Sequence, residues 1–121
     1  MKAQQISIIG GGNMGGAIAK GIVASGLADA SRITITRRTE SALQTWADKG
    51  YKTTTDNNAA VQNADIVVLA VKPYLIMDVI AGLKSSLKPG SLCISVATGI
   101  SLKQLEEELP SKTAIVRAMP N

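Results

Sequence analysis

The stretch IIGGGNMGGAIA near the amino terminus limits the possible folds of this chain more than any other. It places five glycines within seven positions, directly after a β-branched run and before apolar residues at helical spacing. Glycine inside a helix or strand is destabilising by roughly 0.5–1 kcal/mol relative to alanine, so a bare backbone here requires a reason. A tight strand-to-helix turn that another group approaches closely is such a reason, and it predicts a strand, a loop and a helix in this order.

Apolar runs typical of strands alternate with helix-like segments along the rest of the chain. The run at residues 66–71 is continuously apolar, which is typical of a strand covered on both faces in a parallel sheet, and residues 92–96 are predicted as another buried strand. This alternation predicts one domain over residues 1–121, with a doubly wound parallel sheet in a three-layer α/β/α, Rossmann-like arrangement. Strands are predicted at residues 6–9, 33–36, 51–54, 66–71, 92–96 and 114–117.

Several local signals place helices between these strands. Thr39 is predicted to cap the second helix and Gly50 to end it. A short helix is predicted over residues 58–63. Pro73 suits the first position of the next helix, and Ser101 begins a capping box before the last one.

Unusual residues follow most of the predicted strands. In doubly wound sheets ligands bind at the carboxyl ends of the strands, so these residues predict a binding crevice there. They are the glycine loop at residues 10–15, Arg37 with Arg38, Lys72 with Pro73, Thr98 with Gly99, and Pro120 with Asn121.

The glycine loop fits the pattern G-x-G-x-x-G between a strand and a helix. Gly10 allows the tight turn, Gly12 lets a pyrophosphate lie against the backbone, and Gly15 lets the helix pack on the strand. The N–H groups and dipole of the helix start stabilise phosphate charge. The alternative is a glycine-rich turn without a ligand, and we predict dinucleotide binding. The predicted contacts in this loop are Gly10, Gly11, Gly12, Asn13, Met14 and Gly15.

The residues after the second strand indicate which dinucleotide binds. NAD sites usually place a carboxylate there for the ribose 2′-hydroxyl, whereas this chain has Arg37 and Arg38. Guanidinium groups pair with a 2′-phosphate, so NADP(H) is the preferred cofactor and NAD(H) stays possible because Glu40 is near. The alternative is that both arginines lie in solvent on a loop and bind nothing. Lys72 faces either a cofactor phosphate or ribose, or solvent.

Composition excludes several other functions. The chain has no histidine, which excludes a histidine base, and we predict no metal site. The net charge is +4, but the lysines and arginines are scattered along the chain and aromatic residues are few, so we expect no nucleic-acid partner. We predict no membrane segment, and the single cysteine, Cys93, fits a reducing, cytoplasmic location. Cys93 and Trp46 are interpreted as packing residues.

Several motifs together resemble pyrroline-5-carboxylate reductase, which makes proline by NAD(P)H-dependent reduction of a cyclic imine. They are GGGNMG at residues 10–15, Arg38, AVKP at residues 70–73, residues 95–99 and RAMPN at residues 117–121. The resemblance runs through the whole chain in order. It implies an oxidoreductase of amino-acid biosynthesis that takes a small-molecule imine as substrate.

The resemblance also implies roles for particular residues. Asn57 aligns with a contact on the adenosine side of the cofactor. Lys72 and Pro73 line the nicotinamide side, and Met119, Pro120 and Asn121 border the place where the hydride leaves. Further cofactor contacts are expected at Ala70, Val71, Thr98 and Gly99. This chain departs from the family at Arg37, where asparagine or serine is common, and at Gly16 and Thr98, where alanine is common. The first departure is expected to strengthen the preference for NADP.

The family carries a second, helical domain that supplies the dimer core, the pocket for the substrate carboxylate and the proton donor. We therefore expect this chain to be the cofactor domain, to be inactive alone, and to leave the catalytic residues unassigned. Homo-oligomers are expected of the full-length family. Two alternatives stay open, a non-catalytic NADP(H)-binding sensor or partner module and a related hydroxyacid-dehydrogenase-like cofactor domain.

Overall fold

A computed structural model of the chain describes residues 4–96, 102–108 and 114–117. Its strands are β1 (Ile6–Ile9), β2 (Ile33–Thr36), β3 (Lys52–Thr54), β4 (Ile66–Leu69), β5 (Leu92–Ser95) and β6 (Ala114–Arg117). Its α-helices are α1 (Asn13–Ser25), α2 (Gln44–Asp48), α3 (Asn57–Val61), α4 (Pro73–Leu83) and α5 (Leu102–Glu108). Within these ranges no helix is both long and apolar enough to cross a lipid bilayer.

The described strands form one parallel sheet in the order β3-β2-β1-β4-β5-β6. The central strand β1 pairs with β2 on one side and β4 on the other, and Ile8 lies opposite both Ile35 and Val68. The chain winds outward from β1 in one direction and then returns to wind outward in the other. This order confirms the doubly wound, Rossmann-like prediction, and it leaves a switch point between β1 and β4.

Helices cover both faces of the sheet, because alternate side chains of each strand point to opposite sides. On one face Ile9, Val67 and Leu69 pack with buried residues of α3, α4 and α5. On the other face Ile8 and Ile35 pack with α1 and with the segment that contains α2. Fully apolar strands such as β4 are therefore explained by burial on both faces.

Several local predictions need correction. Strand β3 begins at Lys52 and β5 ends at Ser95, each one residue shorter than predicted. Thr39 precedes a 3₁₀ turn at Glu40–Ala42, and its side chain makes no capping hydrogen bond. Strand β4 ends at Leu69 and not at residue 71. The Ala70 N–H still donates to the Ile9 carbonyl, and the chain then leaves the sheet toward α4. The Ser101 capping box lies outside the described residues.

Helix α3 begins one residue before the predicted start because Asp56 caps it. The Asp56 carboxylate accepts hydrogen bonds from the N–H groups of Asn58, at 3.0 Å, and Ala59, at 3.2 Å. These two donors have no partner inside the helix, so the carboxylate satisfies groups that the backbone leaves open. Because Asn57 is the first residue of α3, this cap also fixes the position of a predicted cofactor contact.

Replacing Asp56 by alanine tests this cap. We expect Asp56→Ala to lower the free energy of unfolding by about 1 kcal/mol, as is usual for a lost N-cap. Asp29→Ala is the matched control, since Asp29 precedes a 3₁₀ turn without any side-chain capping bond. The measurement is urea unfolding followed by the fluorescence of Trp46. Equal losses for the two variants would contradict a specific capping role.

Candidate functional site

A cleft of about 900 Å³ opens at the carboxyl ends of β1, β2 and β4, at the switch point of the sheet. The structure brings most of the predicted site residues together there. The predicted residues that line the cleft are Gly10, Gly12, Asn13, Met14, Arg37, Arg38, Asn57, Ala70, Val71, Lys72 and Pro73. Gly11 and Gly15 are buried beneath it. Thr98, Gly99, Met119, Pro120 and Asn121 lie outside the described residues.

Packing within the protein explains three glycines of the loop. Gly10 has a φ of +95°, and a Cβ there would lie 2.9 Å from the Val71 side chain. A Cβ on Gly11 would overlap the Ile35 side chain. A Cβ on Gly15 would overlap the Gly10 carbonyl, because α1 starts directly against the end of β1. Each of these positions must be glycine for the fold itself.

Gly12 has no such explanation. Its backbone is extended, with a φ of −74° that any residue adopts, and a Cβ built on it would meet no atom within 4 Å. Gly12 lines the cleft, so the space beside it is open to a ligand. A bare backbone at this position is what close approach by a phosphate requires.

The amino terminus of α1 faces this space. Its first intrahelical hydrogen bond runs from the Gly16 N–H to the Gly12 carbonyl at 2.8 Å, so the preceding N–H groups have no helical acceptor. The first turn contains no acidic residue to offset the positive end of the helix dipole. Asn13 and Met14 line the cleft at this end, which is therefore suited to an anion.

Three hydrogen bonds tie the glycine loop to the end of β2. The Gly11 N–H donates to the Thr36 carbonyl at 2.8 Å, and the Gly10 N–H donates to the Thr36 hydroxyl at 3.2 Å. The Arg37 guanidinium donates from Nη1 to the Gly11 carbonyl at 3.0 Å. The sequence pattern did not predict these contacts, because they join residues about 26 positions apart.

The cleft has a positive electrostatic character. Arg38 and Lys72 line it and are exposed, and neither side chain has a hydrogen-bond or ion-pair partner among the described residues. Glu40, which left NAD possible in the sequence, does not line the cleft but a second depression with Gln44 and Thr54, and Thr55 lines both. None of the described residues that line the cleft carries a carboxylate.

Further lining residues were not predicted as contacts. The apolar ones include Leu75 and Val79 of α4. The buried residues of this helix are Ile76, Ile80 and Leu83. Thr55 also lines the cleft. It directly follows β3, so the rule that ligands bind at the carboxyl ends of the strands could have predicted it. The remaining lining residues are Ile9, Thr36, Thr39 and Val96.

Two other residues lie away from the cleft. Cys93 is buried in β5, and burial raises the pKa of its thiol to about 11, so the thiolate is disfavoured at neutral pH. Trp46 is partly buried and packs over α1, where a Cβ on Gly16 would lie 2.8 Å from the ring. The Gly16 departure noted in the sequence thus makes room for this indole. The Nζ atoms of Lys20 and Lys49 lie 5.6 and 5.5 Å from the centroid of the Trp46 ring.

The sheet order, the switch-point cleft and the glycine loop before α1 define a Rossmann-like domain. More particularly, the chain belongs to the family described as NADP oxidoreductase, coenzyme F420-dependent, whose model matches residues 5–99.

Named relatives extend this comparison. The chain is 42% identical to pyrroline-5-carboxylate reductase of Vibrio alginolyticus over 122 residues, covering 100% of this chain and 44% of that protein. It superposes on pyrroline-5-carboxylate reductase of Coxiella burnetii with a TM-score of 0.91 and 42% identity, covering 99% of this chain and 45% of that one. The Plasmodium falciparum pyrroline carboxylate reductase with NADP bound gives a TM-score of 0.85 at 27% identity, covering 100% of this chain and 44% of that one. The chain thus spans less than half the length of these relatives.

Proposed function

We propose that this chain binds NADP(H) in the cleft and supplies the cofactor half of a reductase that converts 1-pyrroline-5-carboxylate to L-proline. The observation that carries the proposal is Gly12, which is bare without any internal packing reason and lies at the amino end of α1. A pyrophosphate against Gly12 would accept hydrogen bonds from N–H groups of the first turn of α1, which have no acceptor within the helix. It would also lie at the positive end of the helix dipole.

The choice of NADP(H) rests on the end of β2. Arg38 is exposed in the cleft and has no partner among the described side chains. A guanidinium forms charge-assisted hydrogen bonds with a phosphate, and no carboxylate of Glu40 lies in the cleft to repel one. The Plasmodium relative, which has NADP bound, supports the same choice. We propose NAD(H) as a weaker alternative ligand.

The nicotinamide end is assigned to the β4 side of the cleft. Lys72 and Pro73 lie there at the start of α4, and Leu75 and Val79 provide apolar surface. A reduced nicotinamide held there would supply a hydride for the imine carbon, at the expense of its own oxidation. The imine nitrogen takes a proton, so the C=N bond becomes the C–N bond of proline. In this proposal, this part of the chain positions the cofactor.

The imine pocket and the proton donor are proposed to lie in a further region of the protein. The support is the length comparison, since the chain covers 44% of the Vibrio reductase and 45% of the Coxiella one. We propose that this region also forms a homo-oligomer and that the protein acts in the cytoplasm on a free small molecule. A non-catalytic NADP(H) sensor is the competing function, and the assay below separates it from the reductase.

The role of Gly12 is tested by Gly12→Val. We expect this variant to keep its fold, because a side chain there meets only open space, and to lose measurable NADPH binding in calorimetric titration. Gly21→Val is the matched control, since Gly21 lies on α1, also faces open space and does not line the cleft. It should bind NADPH as the wild type does. Tight binding by folded Gly12→Val would show that Gly12 serves only as a turn residue.

Arg38→Ala tests the choice of cofactor. We expect NADPH affinity to fall by roughly tenfold to a hundredfold, which is the effect of losing one or two partly exposed charge-assisted hydrogen bonds. NADH affinity should hardly change, because NADH has no 2′-phosphate. The NADPH loss should shrink in high salt, where exposed charges are screened. Arg32→Ala, outside the cleft, is the charge-matched control. Equal losses for both cofactors would assign Arg38 to the loop or the adenine instead.

Turnover separates a complete enzyme from a cofactor domain. We expect this 121-residue chain to bind NADPH but not to oxidise it with pyrroline-5-carboxylate at an enzyme-like rate, since hydride transfer needs the imine held over the nicotinamide. The measurement is the decay of NADPH absorbance, with a full-length reductase as positive control. Robust turnover by the purified chain would contradict the proposed division. No turnover by a longer parent protein that binds NADPH would favour the sensor.

A further inference from the structure

Arg37 and Arg38 are adjacent in sequence, but their guanidinium groups have different surroundings. Arg37 donates from Nη1 to the Gly11 carbonyl at 3.0 Å. Its Cδ lies 3.3 Å from the position that a Cβ on Gly11 would occupy, so the stem of the side chain lies against the loop. Gly11 is buried, and the Arg37 stem forms part of its cover. Arg38 makes no comparable contact with any described residue.

The hydrogen bond from Arg37 fixes the direction of one peptide group. The peptide bond between Gly11 and Gly12 is trans, and in a trans peptide the C=O and N–H groups point to opposite sides of the chain. With the Gly11 carbonyl held toward Arg37, the Gly12 N–H points away from Arg37. Gly12 is also the N-cap residue of α1, so the orientation of this peptide sets how the chain enters the helix.

Without Arg37, the peptide group between Gly11 and Gly12 would be free to rotate. Glycine has the widest backbone freedom of any residue, and three consecutive glycines form the segment between β1 and α1. The two bonds to Thr36 hold the N–H groups of Gly10 and Gly11. Neither of them holds the Gly11 carbonyl, so rotation of the Gly11–Gly12 peptide is opposed by the Arg37 bond.

We propose that Arg37 is a positioning residue that holds the phosphate-binding loop in its binding conformation, while Arg38 alone selects for the 2′-phosphate. This inference rests on the proposed function, because it assigns a role within the same cofactor cleft. It differs from the sequence expectation that Arg37 would add to the NADP preference. A positioning role affects every dinucleotide equally, because all of them place a pyrophosphate on this loop.

The test compares Arg37→Met, Arg37→Lys and the wild type by calorimetric titration with NADPH and with NADH. Methionine keeps an apolar stem over Gly11 and removes the donor, and lysine keeps both a donor and the charge. We expect Arg37→Met to weaken the binding of both cofactors by the same factor, roughly tenfold to a hundredfold for one hydrogen bond of a charged group. Arg37→Lys should recover part of the affinity for both. Thermal unfolding without cofactor establishes that each variant is folded.

The ratio of the NADPH and NADH dissociation constants decides between the possible roles. An unchanged ratio in Arg37→Met, with recovery in Arg37→Lys, supports positioning. A loss that is confined to NADPH, or clearly larger for it, would make Arg37 a 2′-phosphate contact or a source of general positive charge and would overturn the inference. Unchanged affinity for both cofactors would also overturn it. Failure of the wild type to bind either cofactor would instead refute the proposed function itself, and this inference with it.

Discussion

The close approach of helix α1 to the end of strand β1 is the contact on which the rest of the site depends. Gly15 has no side chain, and the Gly10 carbonyl occupies the space where one would be. Because α1 starts this close to β1, its amino terminus opens at the centre of the sheet edge, between β2 and β4. The cleft, the loop and the positive end of the helix all take their positions from this contact. A larger residue at Gly15 would push the helix away and separate these groups.

Charged side chains at two places in the sheet, the cleft and the amino end of β4, differ in their partners. At the carboxyl ends, Arg38 and Lys72 are exposed in the cleft without protein partners among the described residues. At the amino end of β4, Asp65 accepts hydrogen bonds from the Gln5 N–H and from Lys88, at 2.9 and 2.5 Å. That cation therefore neutralises a carboxylate of the protein. The cations in the cleft are left for an anionic ligand, which is the electrostatic basis for a phosphate-bearing cofactor.

The loop combines a permissive sequence with several restraints. Its glycines leave room for a phosphate, but glycine also allows many backbone conformations that do not bind one. Gly10 and Gly11 donate hydrogen bonds to Thr36 at the end of β2, and Arg37 donates one to the Gly11 carbonyl. These bonds reduce the backbone freedom of the loop. A loop already restrained in this way loses less conformational entropy on binding, which favours affinity. The glycines thus provide the space for a phosphate, and the hydrogen bonds hold the loop in one conformation.

The sequence by itself determined the class of fold and the edge of the sheet where the site lies. The β-branched runs of Ile6–Ile9, Ile33–Thr36 and Ala114–Arg117 have the bounds that the sequence predicted, because strand propensity and flanking turn residues act over a few positions. The tertiary structure alone decided that Arg37 bonds to Gly11, that Glu40 lies outside the cleft and that Trp46 packs over Gly16. These contacts join residues from different elements or turn neighbouring side chains apart. They depend on strand register and helix packing, which local preferences do not encode.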